Sequence, residues 1–197
     1  MRVASVIVAL LAGNTLFACG PGVLADGLPA GEGEGEGEPR VLPDIGEPPS
    51  GYSTTPPADA PGERCSTQQW WFRGDRESAA MRPGYDCVDC HRARRDGPID
   101  DVMGTVFFGV DDEDDCRGIP GVRVDILDAD GNLAFSTTTN SGGNFRASSA
   151  AMPSPYFARV SYEGRVREMA TSQTDGSCNR CHTQAGIEDA PGRIMLP

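Results

Sequence analysis

Two short stretches of this 197-residue chain hold residues able to do chemistry: "CVDCH" at 87–91 and "CNRCH" at 178–182. In each, two thiols spaced by two residues are followed directly by an imidazole. Three chemistries use such a set. The groups can ligate zinc, exchange a disulfide, or bond covalently to a haem whose iron the histidine then ligates. The flanks narrow the choice. A thioredoxin-like CxxC sits between a strand and a helix, whereas "MRPGYDCVDCHRARRDGP" and "TDGSCNRCHTQAG" are rich in turn residues. Four cysteines and two histidines overfill one tetrahedral zinc site. Covalent haem uses every group: Cys87 and Cys90 bond to one, Cys178 and Cys181 to another, with His91 and His182 as the proximal iron ligands. The expectation is two covalently attached c-type haems.

These are the only two histidines, and all seventeen basic residues are arginine. Bis-histidine ligation within one chain is therefore excluded, and lysine cannot serve. Methionine is the remaining good axial ligand. Met81, six residues before Cys87, and Met169, nine before Cys178, are the candidates, with Met195 third. Met103 and Met152 read as strand-start and loop residues. The alternatives are that these methionines only pack, that the iron stays open, or that another subunit supplies the ligand.

Export precedes the chemistry. The opening "MRVASVIVALLAGNTLFACG" has a basic Arg2 and an apolar run from Val3 to Ala12, too short for a transmembrane helix and broken by Gly13 and Asn14. "LFAC" resembles a lipoprotein signal, so residues 1–18 are read as a signal peptide and Cys19 as a lipidation site. Plain secretion is the alternative. Either places the chain outside the cytoplasm, in the periplasm or at the cell surface, and Gly20 after the cysteine favours the outer membrane. Residues 19–62, with "GEGEGEGEP" and repeated prolines, bury too little apolar surface to order and read as a disordered tether of roughly 35–40 Å reach.

Seven cysteines are present. With Cys19 and the two motifs assigned, Cys65 and Cys116 remain, an even pair in an oxidising compartment. A disulfide between them closes a loop of about fifty residues, worth on the order of 4 kcal/mol. Cys116 follows "DDEDD", where negative charge disfavours a thiolate. The formal net charge of −12 argues against nucleic acid and anionic lipid, and for basic or neutral redox partner proteins.

Between the motifs the period changes. Val122, Val124 and Ile126 alternate with Arg123 and Asp125 as a half-buried strand, "DADGN" turns, and "LAFSTTT" returns as a hairpin. "NSGGNF" turns again, and "YFARVSYEGRVREM" gives two strands about Glu163–Gly164. The fold class is mainly β: an antiparallel sandwich at 103–169, flanked by irregular haem-binding segments at 63–102 and 170–197. "GTVF", "GVRVDILDADG", "STTTNSGGNF" and "ARVSYEG" resemble the carboxypeptidase regulatory-like, transthyretin-like sandwich over about 65 residues. That family implies a non-catalytic scaffold. "DADGN" lacks the sixth-position glycine and closing glutamate of a calcium loop, so it reads as a turn.

"M-PG--C--CH" after a tryptophan, with "SCNRCHTQAG…APGRIMLP" at the end, makes the whole globular part similar to exported dihaem cytochromes built as motif, sandwich, motif. The resemblance implies electron transfer, with the strands drawing both motifs together beside the sheet. Trp70, Trp71, Phe72 and Tyr85 then either pack on the porphyrins or fill a small core. The expected function is single-electron transfer by a lipid-anchored dihaem protein that is not an enzyme. The alternatives are a subunit of a self-assembled, haem-stacked wire, and a haem enzyme or gas sensor with an open iron.

Overall fold

Apolar alternation, punctuated by turn residues, builds most of the elements. The computed structural model describes residues 40–58, 64–187 and 189–197. The chain runs β1 (Tyr52–Ser53), β2 (Trp70–Trp71), α1 (Cys87–Arg94), β3 (Val102–Phe107), β4 (Arg123–Leu127), β5 (Leu133–Thr138), β6 (Asn144–Ala147), β7 (Phe157–Tyr162), β8 (Arg165–Glu168), α2 (Cys178–Cys181) and β9 (Ile194–Met195). One sheet has the order β5-β4-β7-β8, a second β6-β3-β9, and β1 pairs with β2. The β4–β5 and β7–β8 hairpins are those the turn signals predict. Val106 and Phe145 of one sheet meet Val124 and Val160 of the other, with Ile119, Val122 and Leu196, in the main core. The protein is mainly β, with two predominantly antiparallel sheets forming a sandwich.

Several features depart from the sequence reading. Strand β4 is buried on both faces except at Arg123: Asp125 is only 2% exposed. Its neighbours on both sides explain this. The carboxylate accepts bonds from Arg123 Nε at 2.7 Å, Ser136 Oγ at 2.6 Å and Arg159 Nη2 at 3.0 Å. A buried charge satisfied by several donors persists where an unpaired one would not. Part of the acidic run is buried too. Asp112 and Glu113 are buried, and the Asp112 carboxylate accepts the backbone N–H groups of Ser66 and Gly109.

Order also begins earlier than the tether boundary at residue 62. Leu42 and Ile45 pack on the main core, Tyr52 is buried, and Arg117 takes the carbonyls of Ile45, Gly46 and Glu47. Enough apolar side chains lie among these prolines to dock the stretch. The expected signal peptide, the expected lipidation site Cys19, the tether up to residue 39 and residues 59–63 lie outside the described residues. The boundary at 169/170 is crossed as well. Met103 N of β3 donates to Gly176 O, and β9 pairs in parallel with Val106 and Phe107 of the same strand. The final segment therefore occupies one edge of β3 at two points, with the second CxxCH looping out between them.

The expected Cys65–Cys116 disulfide is present, buried against Trp70 and Phe107, with Cα atoms 5.4 Å apart. Trp70 and Trp71 are core residues, whereas Phe72 and Tyr85 are exposed.

Candidate functional site

Each CxxC lies on one turn of helix, which sets its two sulfurs on one side of the backbone at i and i+3. α1 is a true helix where turn-rich flanks pointed to irregular chain. Asp86 is its N-cap, accepting the Asp89 N–H at 2.9 Å, and Arg95 closes it in the left-handed conformation. α2 is a single turn that begins after Ser177 and ends at His182.

The two motifs, distant in sequence, are neighbours in space. Ser177 Oγ donates to Asp86 Oδ1 at 2.5 Å, and Arg180 Nε donates to Asp86 Oδ2 at 3.2 Å. Asn179 Nδ2 donates to Tyr85 O at 2.9 Å. Beneath both lies β3. Thr105, fully buried, accepts from Gly84 N and Asn179 Nδ2 through its hydroxyl, which donates to Asn144 Oδ1; its own N–H goes to Asn179 Oδ1. Both the hydroxyl and the N–H of that threonine are thus used, which makes the junction rigid. Gly104 allows the close approach, since a Cβ there would sit 2.9 Å from Cys178 Cβ. Arg193 completes the frame. Its guanidinium lies over Phe107, pairs with Asp114, and donates to the carbonyls of Asp112, Gly84 and His182.

The histidines share a further feature. His91 Nδ1 is 2.5 Å from Pro98 O, and His182 Nδ1 is 2.9 Å from Gly192 O. A carbonyl only accepts, so each Nδ1 is protonated and each neutral ring keeps its lone pair on Nε2. A carbonyl accepting from Nδ1 fixes the ring orientation and tautomer of a histidine that ligates through Nε2. Gly97 makes room for the first ring, because a Cβ there would meet its Cε1 and Nε2 at 3.0 Å. Burial lowers the His182 pKa, with the Gly192 carbonyl opposing, which favours the neutral ring, the form able to ligate.

Cys87 and Cys178 are poorly suited to thiolate chemistry. Burial pushes the Cys87 thiol up to about 11, helped by Asp86, and the Cys178 thiol up to about 12. A disulfide-exchange centre needs a depressed pKa. Cys87, Cys90 and Cys178 are free, while Cys181 is disulfide-bonded, so bonding it to a vinyl group requires its thiol form. Among the described residues no three His, Cys, Asp or Glu side chains gather as ligands for a metal ion.

Do these residues fit a haem? Both imidazoles present a free Nε2, both CxxC turns align two sulfurs, and apolar side chains stand open nearby. Tyr85, Ile99, Val110 and Ile187 are exposed, each next to a motif or to a loop bonded to one. They fit. The methionines are dispersed. Met81 packs on Tyr52, Trp71 and Ala80, with its carbonyl bonded to Asn144 Nδ2. Met169 follows β8 and donates its N–H to Ala158 O. Met195 lies on β9, its sulfur facing Arg40 Nη1 at 3.7 Å. Met103 is the second residue of β3 and Met152 lies in a loop, as the sequence implied.

Sequence reasoning found the thiols and imidazoles but missed Asp86, Thr105, Asn179 and Arg193. A signal existed for the first: Asp and Ser, both helix-capping residues, stand directly before the two CxxC turns. No protein-family model, no curated protein and no solved structure matches the chain.

Proposed function

We propose that the protein is a dihaem c-type cytochrome, exported and lipid-anchored at Cys19, that passes single electrons between redox partner proteins. The supporting observation is the pairing of two CxxCH turns on one strand, each histidine oriented by a backbone carbonyl so that Nε2 is free. Cys87, Cys90, Cys178 and Cys181 would hold the two groups, and His91 and His182 would ligate them. When bound, haem supplies a reversible one-electron couple.

The chain's part is to hold, orient and shield. The Pro98 and Gly192 carbonyls keep the imidazoles in the ligating tautomer, and the sandwich acts as a scaffold without catalytic groups. Met81, Met169 and Met195 are the candidate sixth ligands. A methionine ligand raises the reduction potential. It also gives the ferric protein a sulfur-to-iron band in the near infrared. Met81→Ala and Met169→Ala are each expected to remove about half of that band.

The decisive experiment is denaturation of the purified mature protein followed by mass analysis and acid–organic extraction. Two haems should remain on the polypeptide after extraction. A polypeptide that weighs no more than its amino acids and lipid, with no retained pigment, overturns the reading.

A further inference from the structure

The first motif's N-cap does more than cap its own helix. Asp86 Oδ1 accepts both the Asp89 N–H of α1 and the Ser177 hydroxyl, while Oδ2 accepts Arg180 Nε. One carboxylate therefore serves both motifs across a separation of 91 residues. α2 has no side-chain cap of its own: the hydroxyl of its N-cap residue is given to Asp86 instead. Asn179, pinned to Tyr85 O and Thr105, fixes one point of α2. Two bonds from residues on either side of Asn179, to different oxygens of one carboxylate, add the points that prevent rotation about it. Charge supports the arrangement, since Arg180 interacts favourably with Asp86, Asp175 and Asp89.

We infer that Asp86 is a positioning residue that sets the angle and separation between the two covalently held groups, by locking α2 onto the cap of α1. This rests on the dihaem reading. It goes beyond that reading by naming what aligns the pair. Electron exchange between two centres depends on their orientation as well as their distance, and a supporting shell that holds geometry to a fraction of an ångström is what such sites require.

The test uses the full haem-loaded protein and three variants: Asp86→Ala, Asp86→Asn, and the double variant Ser177→Ala/Arg180→Gln, which leaves the α1 cap intact. Two nearby porphyrins give a bisignate Soret circular dichroism couplet whose size reports their mutual angle. Asp86→Ala is expected to shrink the couplet about twofold or more while haem content and each haem's own absorption stay at wild-type values. Asp86→Asn keeps the Oδ1 acceptor and should restore part of the signal, a rescue that a merely structural loss would not show. If Asp86→Ala does not mature, the double variant must show the same reduction. An unchanged couplet in both, or a wild type with two haems and no couplet, overturns the inference. A wild type without covalent haem overturns the dihaem reading instead.

Discussion

The two CxxCH motifs are the same five-residue pattern set in two different environments. In the first, the buried anchor between the cysteines is Val88; in the second, the same place holds Asn179, only 3% exposed and bonded to Tyr85 and Thr105. The next residue is exposed in both, as Asp89 and as Arg180, and the two attract. The first turn continues into an eight-residue helix and reaches its orienting carbonyl seven residues after His91. The second stops after one turn and finds its carbonyl ten residues after His182, in the segment that re-enters the sheet as β9. The comparison teaches that the pattern fixes only the local geometry of sulfur and nitrogen. What holds each turn is apolar in one case and a polar junction with β3 in the other.

The largest effect tests the scaffold the motifs share. Replacing both Cys65 and Cys116 by serine should cost about 4 kcal/mol, read as a fall in the midpoint of urea unfolding of the haem-free protein. The first motif should suffer more, because the disulfide packs on Trp70 and Asp115 N bonds to Pro83 O in the approach to α1. Equal loss at both would break that distinction.

Smaller effects separate the anchors. Asn179→Ala leaves the buried Thr105 N–H unpaired and removes the amide donor to Tyr85 O and Thr105 Oγ1, an expected loss of about 2–3 kcal/mol. Val88→Ala removes only methyl groups and should cost about 1–2 kcal/mol. The same unfolding assay ranks them, and a larger loss for Val88→Ala would contradict the polar account of the second motif.

pH should act on the two regions with opposite sign. Burial raises the Asp115 carboxyl to about 6 despite Arg82, because one of its oxygens has no partner while the other takes Arg82 and Tyr85. Its folded pKa lies above its unfolded value of 3.8, so its favourable contribution is complete below that value and is lost as pH rises through about 6. His182 runs the other way. Its folded pKa lies below the ordinary 6.5, so the folded state binds the proton less well and stability falls as pH drops below that value. Asp115→Asn should flatten the rising-pH loss and His182→Gln the falling-pH loss in unfolding curves of the haem-free protein. If either variant keeps the full pH dependence, its assignment fails.

Much of the frame was legible in the chain. Turn residues at Asp128–Asn132 and Glu163–Gly164 marked both hairpins, and cysteine parity picked out Cys65 with Cys116. Asp125 is the misreading. It alternates like a surface charge because burial of a carboxylate depends on donors from other strands, and local periodicity does not encode those.

By itself, the sequence determined the chemistry available: four cysteines at helical-turn spacing, the only two imidazoles directly after them, and strands between that could bring them together. The tertiary structure decided how they meet. Asp86 reaches Ser177 and Arg180, Thr105 accepts Gly84 and Asn179, and Arg193 ties Gly84 to His182 only because β3 binds the final segment along its edge. Hydrogen bonds between residues ninety positions apart arise from the requirement that buried polar groups find partners, and only the folded chain says which partners are within reach.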